Sequence, residues 1–104
     1  MIFIAEIKTK SPFMKMNESV SFDALKESAI NYGDMISVHV ESPWGGKPSD
    51  IGRVRRSGAK QKILAKGIHP TDEHIEQSLN YGADRVLVGE FHANLFFPIV
   101  GLNL

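Results

Sequence analysis

Asn31-Tyr32-Gly33, an apolar run and Glu41 recur as Asn80-Tyr81-Gly82, a second apolar run and Glu90, a shift of 49 residues at each landmark (80 − 31 and 90 − 41). The glycine of each copy sits where a helix stops. Each glycine then leads into a strand: Met35-Ile36-Ser37-Val38-His39-Val40 in the first block, Arg85-Val86-Leu87-Val88 in the second. Each block holds two strand-helix units. Stacking of such units, with strand and helix alternating, demands a parallel sheet with right-handed crossovers.

The elements can be placed in order. Ile2 to Ile7 is the first strand, stopped by Ser11-Pro12 because proline cannot donate to a ladder and the residue before it avoids helix. Strand alternation puts Glu6 and Lys8 on one side, with Phe3, Ala5 and Ile7 on the other. Residues 9–20 form a polar, methionine-bearing loop. Ser21 is an N-cap with Asp23 in the first turn, and Phe22, Leu25, Ala29 and Ile30 mark one apolar face. After the second strand, Pro43-Trp44-Gly45-Gly46-Lys47-Pro48 is rich in breakers and predicts an irregular loop. Ser49 is expected to cap a short helix through Asp50, Ile51, Val54 and Arg55. Lys62 to Lys66 is the third strand. Thr71 caps a third helix with Ile75 and Leu79 as its apolar stripe. Strands thus fall near 2–7, 35–40, 62–66 and 85–88. Residues 91–97 read as helix-like, and Pro98 to Leu104 as an apolar tail.

The 104 residues make one domain. The fold class is α/β: four βα units with a parallel sheet. Four units are half of the eight that close a barrel, which takes ~250 residues, so the chain is an open sheet or half of a (β/α)8-barrel. Twelve basic and twelve acidic residues cancel, which points to no nucleic-acid or membrane partner and favours self-association near neutral pH. The absence of cysteine excludes disulfides, thiolate metal sites and a cysteine nucleophile. His39, His69, His74 and His92 show no metal spacing, so neither metal nor cofactor is expected. No stretch approaches the ~20 apolar residues of a membrane span, and the expected compartment is the cytoplasm.

Glu6 and Lys8 are the first site candidates. A charged pair near the end of a buried strand is costly unless it is partnered or put to use. The C-terminal rim of a parallel sheet is also where α/β proteins build sites. Lys66 ends the third strand in the same way. Trp44, in its glycine-proline loop, reads first as cover for the core or an interface. Arg53, Arg55 and Arg56 read as a solvated helix face.

These motifs together resemble the N-terminal half of indole-3-glycerol-phosphate synthase, a (β/α)8-barrel lyase of tryptophan biosynthesis. Ile4-Ala5-Glu6-Ile7-Lys8 with Ser11-Pro12 is similar to that family's first-strand motif, and Ile36-Ser37-Val38 with Glu41 to its second. Trp44 with Gly46 resembles the aromatic-glycine loop, and Leu64-Ala65-Lys66 the third-strand lysine motif. Gly82-Ala83-Asp84 leading into Val86-Leu87-Val88 keeps the family's spacing. The likeness spans about residues 2–90.

The resemblance implies a half-barrel completed by oligomerisation, most simply a homodimer, that binds a phosphorylated anthranilate-type ligand with weak or vestigial lyase activity. Lys66 would be the general acid that protonates the substrate carbonyl during decarboxylating ring closure. Lys8 would hold the substrate carboxylate, with Glu6 as its carboxylate neighbour. Ser11, Trp44 and Leu87 would line the substrate pocket. Such chemistry calls for ammonium groups over developing oxyanions. The departures are specific. Gly67-Ile68 stand where the family has aspartate-phenylalanine, Phe13 replaces a loop serine, Met14-Lys15 stand where a glycine is expected, and strands five to eight with their phosphate-gripping loops are absent. The alternative is a non-catalytic homo-oligomeric scaffold that keeps the fold. A phosphoribosylanthranilate isomerase relative is disfavoured, because that family's first-strand base is a cysteine.

Overall fold

The computed structural model describes residues 2–11, 20–88 and 99–100. Its elements are β1 (Ile4–Ile7), α1 (Phe22–Tyr32), β2 (Met35–His39), a 3-10 turn (Ser42–Trp44), α2 (Ser49–Arg56), β3 (Lys62–Lys66), α3 (Asp72–Asn80), β4 (Arg85–Leu87) and β5 (Ile99–Val100). The sheet order is β1-β2-β3-β4-β5. The first three pairings are parallel and β5 is antiparallel to β4. Four parallel strands succeed one another without reversal, with three α-helices among the described residues. This α/β arrangement is compatible with half of a barrel. Part of the apolar tail is a strand, pairing Val86 with Val100 and Leu87 with Ile99 on the outer edge of β4. Glu90, His92 and the helix-like reading of 91–97 lie outside the described residues, as do Phe13, Met14 and Lys15.

Register sorts the sheet into two faces. Ala5, Ile36 and Ile63 are adjacent across β1–β3, and Ile7, Val38, Ala65 and Val86 across β1–β4. These side chains form the core with Ala29 of α1 and Ile51 and Val54 of α2, while Phe22, Leu25, Ile30 and Ile75 pack against its margin. Ile36, Val38, Ile51, Val54 and Ile63 are fully buried. Each contributes about 1.5–3 kcal/mol of burial free energy. On the opposite face Glu6, Ser37, Leu64 and Arg85 share one rung, and His39, Lys66 and Leu87 the next. Phe3 does not join Ala5 and Ile7 in the core. It precedes β1 at the sheet's outer edge and is 55% exposed.

Two caps form where expected: Ser21 Oγ accepts the Ala24 N–H at 3.1 Å, and Thr71 Oγ1 the His74 N–H at 3.4 Å. Ser49 is not a cap. It is the first residue of α2 behind Pro48, and Asp50 Oδ2 takes the Lys47 N–H at 3.1 Å instead. The apolar stripe of α3 also differs. Ser78 is fully buried and Leu79 is 43% exposed, because position 78 lies three residues from Ile75 on the core-facing side and finds a polar partner there.

The two blocks also share a device just after their glycines, on aspartates 50 positions apart (84 − 34), one more than the repeat's shift. After α1, Asp34 Oδ2 accepts the Phe3 N–H at 2.7 Å and its own N–H reaches Phe3 O at 2.8 Å. After α3, Asp84 does the same at Ile63, with distances of 2.9 and 2.9 Å. Each aspartate clasps the start of a neighbouring strand. Arg55 secures the second clasp and is no solvated residue. Its Nε donates to Gly82 O at 2.9 Å, its Nη1 to Gln61 O at 2.9 Å and Ala59 O at 3.3 Å, and its Nη2 to Asp84. Arg53 lies 3.9 Å over the Phe22 ring and pairs with Asp50. Truncation of Arg55 leaves carbonyls and a carboxylate short of donors, so Arg55→Ala should cost about 2–3 kcal/mol in urea unfolding with an unchanged m-value. A loss below about 0.5 kcal/mol would place Arg55 among ordinary surface residues.

Candidate functional site at the C-terminal rim of the sheet

Glu6 stands one rung below the end of β1, with its side chain on the face away from the helices. Continuing the β1–β2 register sets Lys8 beside His39, and His39 is paired with Lys66. The carboxylate therefore has hydrogen-bond donors from β2 and β3 and a further ammonium from the residue that follows β1. Glu6 Oε1 meets His39 Nε2 at 2.6 Å and Lys66 Nζ at 2.9 Å, and Oε2 lies 3.9 Å from Lys8 Nζ. The Lys8 and Lys66 side chains remain 31% and 41% exposed, so both ammonium groups can still meet a solute.

Burial by itself would raise the Glu6 pKa. The hydrogen bonds from His39 and Lys66, with the charge of Lys66, overcome it and hold the carboxyl down at about 2. Glu6 is therefore a carboxylate at neutral pH and serves as an acceptor. His39 is buried and its pKa lies below the ordinary histidine value, because desolvation outweighs the attraction of Glu6. A carboxylate only accepts, so Nε2 of the neutral ring carries the proton and donates it to Glu6.

The loop after β2 closes over this rim. Thr9 and Lys10 both donate backbone N–H groups to Trp44 O at 3.2 Å, and Thr9 Oγ1 donates to Gly45 O at 3.3 Å. Where an irregular loop was expected, a 3-10 turn leads into Gly45 at φ 81. A Cβ on Gly45 would lie 2.0 Å from Thr9 Oγ1, and one on Gly46 1.8 Å from His39 O. Two glycines are required for so close an approach. The Trp44 ring centroid comes to 6.1 Å from that of His39, tilted by 34°.

The loop after β3 is held from both sides. Glu41 Oε1 accepts the Ile68 N–H at 2.8 Å. A Cβ on Gly67 would lie 3.1 Å from that oxygen and 2.8 Å from Val40 Cγ2, so the Glu41 side chain fills the space beside Gly67. His69, at φ 46 and buried, binds Leu87 O through Nδ1 at 2.7 Å and Ser78 Oγ through Nε2 at 2.8 Å. A carbonyl accepts, so Nδ1 is protonated and Nε2 takes the Ser78 hydroxyl proton. Burial lowers the pKa of this ring too.

Glu6, Lys8 and Lys66 thus meet, although Glu6 and Lys66 lie 60 positions apart in the chain. Leu87 is half-buried and in register with Lys66. Trp44 lies at the rim beside His39. Ser11 is half-buried three residues beyond Lys8. His39 joins the cluster although the sequence does not single it out for the site; its place at the end of β2 is the signal that marks it. Ser37 Oγ and Arg85 Nε, on the Glu6 rung, are buried without hydrogen-bond partners among the described residues. No group of three or more His, Asp or Glu among the described residues is arranged to hold a metal, and no described helix is long and apolar enough to cross a membrane. Among the described residues, surface grooves also run along Glu73, Glu76, Gln77, Asn80 and Tyr81 and along α1 as far as Ser57. No protein-family model matches the chain, and no curated protein matches it either.

Stability should fall in two stages on acidification. His39 and His69 have lowered folded pKa values, so their contributions are complete above about 6.5 and are lost as pH falls from there toward the folded values. Glu6 contributes fully above 4.5 and loses its contribution between 4.5 and about 2. Urea midpoints measured against pH should show the first stage in the native chain and a shallower one in His69→Gln. Parallel curves would mean that His69 is not held neutral.

Proposed function

We propose that the chain is a half-barrel similar to the N-terminal half of indole-3-glycerol-phosphate synthase, which self-assembles and binds a phosphorylated anthranilate-type ligand at the strand-end rim. The observation that carries this reading is the convergence of Lys8 and Lys66 on Glu6, at the C-terminal ends of β1 and β3. Ring closure with loss of carbon dioxide needs an ammonium at the substrate carbonyl, where oxyanion character develops. Lys66 supplies it, with Glu6 aiming the Nζ. Lys8 faces the substrate carboxylate, and Trp44 and Leu87 offer apolar walls.

The non-catalytic scaffold is favoured by one specific observation. Glu41 fills the space beside Gly67, where the family places an orienting aspartate on the residue after the lysine. Incubation with the anilino-deoxyribulose phosphate substrate should separate the two readings. Indole fluorescence that disappears in Lys66→Ala supports a lyase, whereas binding without fluorescence supports the scaffold.

Self-association belongs to both readings. The β4 edge is occupied by β5, so a ring of two half-barrels requires Ile99–Val100 to leave that edge. The β1 edge has no partner strand among the described residues, and Ile2, Phe3 and Ile4 are 65%, 55% and 46% exposed along it. An apolar edge of this kind is a template for a further strand. Sedimentation at micromolar concentration should give a dimer, and Ile4→Lys should shift it toward monomer. A native chain that stays monomeric there would end the assembly proposal.

A further inference from the structure

We propose that His39 controls how tightly the rim holds a doubly charged oxyanion, with the protonated ring favouring uptake by Lys8 and Lys66. The inference rests on the reading of this rim as an anion site and adds its regulation. With His39 neutral, one carboxylate stands among two ammonium groups, and Glu6 cancels one of them. With His39 protonated, the imidazolium 2.6 Å from Oε1 balances Glu6, and the charge of both lysines is available to the anion. The local charge rises from one to two while the framework stays in place.

The charged groups facing His39 are Glu6 and Lys8 from β1 and Lys66 from β3, while the loop after β2 presents the uncharged Trp44 ring. Glu41, two residues along, is engaged by Ile68. Burial places the ring's titration below the ordinary histidine range, so the rim is in its weaker state at neutral pH. By linkage, an anion bound at the lysines must raise the His39 titration midpoint by the same factor by which His39 protonation strengthens anion binding.

Sulfate is the probe, because it keeps its double charge throughout the histidine range. Its binding to the full chain is followed by NMR at constant ionic strength, together with the imidazole titrations. Affinity should be at least about fivefold higher at a pH below the His39 midpoint found in the same titration than near pH 7.5. Saturating sulfate should raise the His39 midpoint and leave His69, which is enclosed by Leu87 and Ser78, unmoved. His39→Gln keeps an N–H donor for Glu6 but cannot ionise, so its sulfate affinity should be weak at both pH values. Lys8→Gln and Lys66→Gln should each weaken binding at low pH. Equal native affinity at both pH values, an unmoved His39 midpoint, or pH dependence surviving in His39→Gln would overturn control by His39 and leave the anion site standing. No sulfate binding at either pH would overturn both.

Discussion

Glu6 carries a charge into a strand whose neighbouring residues, Ala5 and Ile7, are buried. A charge in that position must find donors or be expelled from the sheet. Its donors come from the ends of the next two strands, and they reach it only because β1, β2 and β3 are parallel and in one register. A slip of one residue would turn His39 and Lys66 to the helix face and Val38 and Ala65 away from it. The packing of Ile7, Val38 and Ala65 in the core therefore holds the register on which the rim cluster depends. Stability and site geometry rest on the same ladder.

Two kinds of clasp protect that ladder. At the N-terminal ends, Asp34 and Asp84 each grip the first residues of a neighbouring strand, with Arg55 tying the second clasp to α2. At the C-terminal ends, Glu41 and His69 grip the loop that begins one residue after Lys66. Acid weakens the second kind, because His69 must stay neutral to accept from Ser78. His39, the other ring whose pKa burial lowers, stands at the same end. The clasps at the other end rely on aspartates and an arginine.

The tertiary structure brings Glu6, Lys8, His39 and Lys66, which are scattered along the chain, to one place at the strand ends. Three features of that place are specific to the tertiary structure. Glu6 is locked as an acceptor, Glu41 fills the space beside Gly67, and a histidine enters the cluster from β2. The rim thus gathers two ammonium groups, one carboxylate and one titratable ring.

By itself, the sequence determined the order of β1 to β4 with the helices between them and the parallel pairing of those four strands, since strand and helix periodicities alternate and Gly33 and Gly82 end their helices; the antiparallel β5 was not legible in it. It also determined that Glu6 and Lys8 share a face, because alternation along a strand is local. Local signals were less sure where two residue types compete for one position. Pro48 displaced Ser49 from the cap, and Ser78 took the core position in place of Leu79 by bonding to His69. The partners of Glu6 were decided only by the tertiary structure. Whether a lysine at the end of one strand meets a glutamate 60 positions earlier depends on register and on which faces the helices cover. Arg55 shows the same limit: three arginines on a short helix look solvated in one dimension, and only packing reveals that one of them holds the ends of other elements together.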